Sequence, residues 1–139
     1  TIPGIAEKQP NTPLWDYSKW HPHVIVIFLG INDFQGDFDH TKPSTFDSVY
    51  TAFLDKLRSK HPGVRFLLLS TKVWPSDDLT SRVESIVKSQ KEKGHTDVEH
   101  HLMISENTAL DGHPSENAHQ NMANQIRPII ARLGKWLQR

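Results

Sequence analysis

Two apolar runs constrain this chain more than anything else in it. Residues 24–30 (VIVIFLG) and 64–71 (VRFLLLST) are hydrophobic at nearly every position. A half-solvated strand alternates apolar and polar residues. A continuous run instead predicts a strand covered on both faces, as in a parallel sheet. Parallel neighbours need a long crossover, and the residues between the runs supply a helical one. Ser44 with Asp47 three residues on is close to a capping box; Phe46, Val49, Tyr50, Phe53, Leu54 and Leu57 follow at helical spacing. His61-Pro62-Gly63 then stops the helix.

The alternation continues. A second helix is predicted over about residues 77–93, with Leu79, Val83, Ile86 and Val87 on one face and Gly94 as its stop. Residues 98–104 read as a weaker third strand, interrupted by His100 and His101. A last helix starts near Ser115 and buries Ala118, Met122, Ile126, Ile129, Ile130 and Leu133. Pro128 predicts a kink in it, because proline removes a backbone donor. The first 22 residues carry Pro3, Pro10 and Pro13 without a sustained period and read as an irregular lead-in. Strand and helix thus alternate three times. The expected fold is doubly wound α/β, a three-layer α/β/α domain on a parallel sheet. The 139 residues suit one core, so residues 1–139 are read as a single domain. Three strands leave at least one sheet edge in want of a partner.

Composition removes several functions. Sixteen Lys plus Arg balance sixteen Asp plus Glu, which argues against a nucleic-acid partner. No apolar run approaches the roughly 18 residues of a membrane span. With no cysteine there is no disulfide, thiolate zinc site or cysteine nucleophile. The chain does not begin with Met and shows no signal peptide, so it reads as a processed or truncated product.

Ligands of open parallel sheets bind at the carboxyl ends of the strands, and that rule selects three stretches. They are Gly30-Ile31-Asn32-Asp33-Phe34, Ser70-Thr71-Lys72-Val73-Trp74-Pro75 and Asp111-Gly112-His113-Pro114. Gly30 permits a sharp turn, and Asn32 then offers amide donors of the kind a developing oxyanion needs. The same residues are also ordinary turn chemistry. Asp111 and His113 supply a carboxylate and an imidazole, and an Asp can hold a histidine base in one tautomer. The competing reading is a helix-approach loop, with Asp111 capping backbone donors and His113 merely exposed.

LGINDF followed by DGHPSENAHQNMA resembles the SGNH (GDSL-type) hydrolase superfamily, and within it carbohydrate esterase family 2. The stretch WDYSKWHPHVIVIFLG resembles the lead-in to that family's Asn-Asp motif. The resemblance implies hydrolysis of O-acyl esters, typically O-acetyl groups on carbohydrates, with no metal or organic cofactor, by a secreted or extracellular protein. It assigns Gly30 and Asn32 to the oxyanion motif, His113 to the general base and Asp111 to the acid that orients it. The Asp–His interval is two residues where much of the superfamily has three, so backbone carbonyls are the alternative orienting group. The family's Gly-Asp-Ser nucleophile motif and the glycine after its next strand do not occur in the 139 residues. The chain therefore resembles the C-terminal portion, and the nucleophile is expected from a second polypeptide or a swapped protomer. The five-stranded sheet of the family would be three strands wide here for the same reason.

Other residues are weighed against this. Ser70 is the serine that the topology places on the rim, but it lacks a nucleophile elbow; Thr1 lacks a supporting shell. Trp74 and Asp33 are the candidate substrate contacts, Trp74 by stacking on a sugar face or else by core packing. Trp15 and Trp20 read as packing the lead-in segment, and Trp136 as core. Nine histidines invite a metal site, but no spacing matches a zinc motif. The alternative function is a non-catalytic carbohydrate-binding or interaction module built on the esterase fold. A phosphoryl-receiver-like domain using Asp33, Thr71 and Lys72 ranks last, since it lacks the acidic pair that would hold magnesium.

Overall fold

The computed structural model describes residues 16–33, 43–72 and 78–135. Three strands, β1 (Val24–Ile27), β2 (Arg65–Thr71) and β3 (Val98–Met103), form one parallel sheet in the order β1-β2-β3. Helices α1 (Pro43–Lys60), α2 (Leu79–Glu92) and α3 (Glu116–Leu133) complete the alternation. Both crossovers step in the same direction, so their helices cover one face. Phe46, Tyr50 and Leu54 of α1 and Leu79, Val83, Ile86 and Val87 of α2 pack there on Ile27, Phe66, Leu68 and Val98. On the other face, Met122, Ile126, Ile129, Ile130 and Leu133 of α3 meet Val24, Phe28, Leu67, Leu69 and Met103. The three-layer α/β/α architecture is therefore present. The doubly wound expectation holds for the layers, whereas the strand order shows no reversal among the described strands.

Burial on both faces holds only for the central strand. β2 is buried from Phe66 to Thr71, and Phe66, Leu67 and Leu68 are wholly inaccessible. Each such side chain stabilises the fold by about 1.5–3 kcal/mol. β1 is four residues rather than the seven expected, and as an edge strand it leaves Val26 exposed at 39%. His100 and His101 do not interrupt β3: they pair with Leu68 and Leu69, because a strand needs only their backbone.

The helix limits follow the punctuation, with one correction. Pro43 opens α1 and Ser44 already lies inside it, so Ser44 is not the cap. Proline suits the first helical position, where its missing N–H is an orphan anyway. Asp47 accepts instead from Arg82 Nη1 of α2 at 2.8 Å. Ser115 caps α3, accepting from the Ala118 N–H at 3.3 Å. Pro128 sits within α3 without ending it, on the exposed side. Trp20 stays 58% exposed with its ring edge on His61, while Trp15 and Trp136 lie outside the described residues.

At the amino ends of the strands, Arg58 of α1 donates to both carboxylate oxygens of Asp97, at 2.7 and 2.9 Å. It donates also to Gln90 Oε1 at 2.6 Å and lies 5.3 Å over the Phe66 ring. Burial opposes the Asp97 carboxylate, but the Arg58 guanidinium more than offsets it, and the pKa falls below the usual range. This network ties α1, α2 and the start of β3 together and leaves the opposite, carboxyl end of the sheet free for a site.

Candidate functional site

Gly30 follows β1 at φ +111, a conformation that a side chain rarely adopts. It is buried beneath α1 and α2: a Cβ there would stand 2.5 Å from Leu79 Cδ1 and 3.0 Å from Phe46 Cζ. This close approach turns the backbone into a short 3-10 turn, Ile31–Asp33, closed by the Asp33 N–H on the Gly30 carbonyl at 3.0 Å. Asn32 is thereby presented outward from the strand end.

After β3 the chain runs through a loop to His113. Asp111 has φ +56, in the left-handed region that Asp and Asn tolerate better than most residues. The turn is closed by the Ala109 N–H on the His113 carbonyl at 2.9 Å and the His113 N–H on the Leu110 carbonyl at 3.2 Å. The His113 ring then brings Nδ1 to 3.3 Å from the Leu110 carbonyl oxygen. A carbonyl can only accept, so Nδ1 carries the proton of the neutral ring and Nε2 keeps a lone pair. The group facing Nδ1 is thus the Leu110 carbonyl, the backbone alternative to Asp111 as the orienting group.

These two loops line one open cleft of about 520 Å³, in which Asn32, Asp33, Asp111 and His113 remain exposed. Gly30, Asn32, Asp33, Asp111 and His113 all line it, so the residues singled out from the strand-end rule come together. Phe28, Leu29 and Ile31 add an apolar wall, and Met122 projects from α3. The volume suits a small organic ligand, and apolar walls with a few convergent polar groups are the usual makeup of such sites. Trp74 lies outside the described residues.

Ser70 is not on this wall. It shares a strand face with Phe66 and Leu68, toward α1 and α2, and is wholly buried. Its hydroxyl donates to Thr80 Oγ1 at 3.1 Å and meets His100 Nε2 at 2.8 Å. Among the described residues, the hydroxyl-bearing ones that do line the cavity are Thr71 and Ser105, beside Asn107. Thr71 Oγ1 donates to the Met103 carbonyl at 3.1 Å, and Ser105 Oγ to Asn107 Oδ1 at 3.1 Å. The strand-end rule, applied to the residues just past β3, would have found Ser105 and Asn107. Among the described residues, no three His, Asp or Glu side chains are grouped to hold a metal ion.

No model of a known protein family matches the chain. The acetylxylan esterase / glucomannan deacetylase of Cellvibrio japonicus is 24% identical over 128 residues, covering 91% of this chain and 35% of its own length. Cellulase/esterase CelE of Acetivibrio thermocellus is 30% identical over 147 residues, covering 96% of this chain and 18% of its own length. Among solved structures, a family two carbohydrate esterase from Clostridium thermocellum in complex with cellohexaose superposes with a TM-score of 0.79 at 28% identity. That match covers 88% of this chain and 39% of the esterase chain. The chain thus spans about a third or less of the length of these curated relatives. Its structural neighbours include several family two carbohydrate esterases, and the chain shares their α/β fold along most of its length, in agreement with the SGNH-type motifs at Asn32 and His113.

Proposed function

We propose that this chain carries the base and oxyanion side of a serine-esterase centre that removes O-acyl, chiefly O-acetyl, groups from carbohydrates. The observation that carries the reading is a single cavity lined by both Asn32 and His113, with the His113 tautomer set by a backbone carbonyl. Nε2 of His113 takes the proton of an attacking serine hydroxyl and later returns it to the departing alcohol. The Asn32 amide, with backbone N–H groups near Gly30, steadies the negative oxygen of the tetrahedral intermediate. One such donor lowers a barrier by about 3 kcal/mol. Water then releases the acyl group through the same base. Asp111 is left an auxiliary electrostatic role, and Trp74 and Asp33 are the proposed sugar contacts. The carbohydrate substrate is inferred from a relative named acetylxylan esterase / glucomannan deacetylase, and an extracellular setting from the polymeric nature of such a substrate.

The serine is proposed to come from polypeptide outside these 139 residues, whether of the same chain, a second chain or a swapped protomer. A second reading, a carbohydrate-binding module without catalysis, is favoured by one observation. Among the described residues, the hydroxyl-bearing side chains that line the cavity, Thr71 and Ser105, already donate to other partners.

The test combines p-nitrophenyl acetate with a fluorophosphonate probe. The chain is assayed alone and together with the Gly-Asp-Ser segment of a family two esterase. Acetate release and serine labelling only in the mixture, abolished by His113→Ala, are expected. Release that survives His113→Ala, or none in the mixture, contradicts the catalytic reading; acetylated-oligosaccharide binding without release supports the module.

A further inference from the structure

We infer that Gln125 is a positioning residue for His113. It fixes the start of the His113 loop to the same helix into which that loop runs, so that the loop and α3 move as one body. The inference rests on the cavity being the reaction site.

The β2–β3 ladder ends at the pair Thr71–Met103, so the next residue, Ile104, has no strand partner for its backbone. Gln125 of α3 supplies both halves of one. Its Oε1 accepts from the Ile104 N–H at 3.0 Å, and its Nε2 donates to the Ile104 carbonyl at 2.7 Å. Packing does not do this work, because the Ile104 side chain is 74% exposed and residues 106–112 are exposed throughout. The other end of the loop enters α3 directly through Pro114 and the Ser115 cap. Between these anchors the loop makes short-range bonds: Ser105 to Asn107, Ala109 to His113 and His113 to Leu110. With the clamp in place, both ends of the loop are referred to one rigid element. Met122, which lines the same cavity, stands one turn before Gln125 on that helix. Without the clamp, the loop hangs between two separate elements, β3 at Met103 and α3 at Ser115, and the cavity wall from Ser105 to His113 loosens.

Gln125→Ala and Gln125→Glu are to be compared with the wild-type chain by amide exchange and by imidazole ¹⁵N NMR of His113. Loss of two ordinary hydrogen bonds is expected to raise exchange of the 105–113 amides by about tenfold or more in Gln125→Ala. Amides of β2 and of the last turns of α3 should keep their protection. The His113 ring should lose its single Nδ1–H tautomer and show a mixture of the two. Glutamate accepts from the Ile104 N–H but can donate to the carbonyl only when protonated. Gln125→Glu should therefore recover loop protection only as pH falls below about 4. Unchanged loop exchange and an unchanged His113 tautomer in Gln125→Ala overturn the inference, as does an equal rise in exchange over the whole chain. Neither readout requires turnover, so failure of the esterase reading and failure of this inference are separately visible.

Discussion

The His113 ring and the Leu110 carbonyl face one another at 3.3 Å, and the backbone bond from His113 N–H to the same carbonyl oxygen, at 3.2 Å, locks that arrangement into the loop. The imidazole is thus oriented by main chain, while Asp111 is exposed and serves the turn by its positive φ. Asp111→Asn keeps that backbone preference. It should leave His113-dependent hydrolysis within about fivefold of wild type, the worth of one exposed charge. His113→Ala should lower it by about 10²–10⁴. Steady-state kinetics on the complemented chain provide the comparison; equal losses in the two variants would show that Asp111 orients the base.

Gly30 admits no side chain. An alanine there combines an unfavourable φ with a Cβ 2.5 Å from Leu79 Cδ1 and 3.0 Å from Phe46 Cζ. Gly30→Ala is expected to cost about 2–4 kcal/mol, summing backbone strain and overpacking. Urea unfolding measures it, and a cost under about 0.5 kcal/mol, the level of a surface change, contradicts the packing described.

Acid should weaken the fold through His100. Buried Ser70 Oγ lies 2.8 Å from His100 Nε2, and His100 Nδ1 stands 3.7 Å from Glu84 Oε1. Burial holds the His100 pKa below its ordinary value, outweighing the pull of Glu84 in the other direction. A base with a depressed folded pKa is protonated first in the unfolded chain. Stability from this group is full above about pH 6.5 and declines as pH falls below it. Asp97 and Glu99, whose pKa values are also lowered, extend the loss at more acid pH, because their stabilisation disappears once they are protonated. Melting temperatures between about pH 7.5 and 5 should fall, and less so in His100→Gln. A rise on acidification would mean that the Glu84 attraction dominates.

The Arg58 network should be costly to break. Its guanidinium is 15% exposed and grips an Asp97 side chain that is 25% exposed. Removing it strands that carboxylate and the Gln90 carbonyl oxygen. Arg58→Ala should cost about 3 kcal/mol, near the low end for a buried pair because Asp97 keeps some solvent. Arg58→Lys should recover little, since an ammonium cannot reproduce the two-pronged geometry. Equilibrium denaturation of the three proteins decides this, and full rescue by lysine would reduce the network to a simple charge contact.

Much of the fold was legible because local and global preferences agree. Gly63, Gly94 and Ser115 end or begin helices where their chemistry says they should, and the apolar runs place β1 and β2. The candidate cavity was legible only where it depends on residue identity beyond a strand, since Gly30, Asn32 and His113 all line it. Alternation along β2 assigns two faces without saying which one borders the cavity, so the sequence puts Ser70 on the rim where the fold buries it. The Leu110 carbonyl left no trace in the sequence, since every residue carries the same group and only the loop path selects one. Ile104 and Gln125 stand 21 residues apart; their pairing has no periodicity to reveal it.

The most direct measurement is a titration of the ¹⁵N-labelled chain with an acetylated xylo-oligosaccharide, following the Asn32 side-chain amide and the His113 imidazole. Both signals should shift together along one saturating curve, and Asn32→Ala should weaken the His113 response. Shifts confined to another surface, or a His113 signal that ignores the ligand while Asn32 responds, would mean that the two residues do not serve one acyl group.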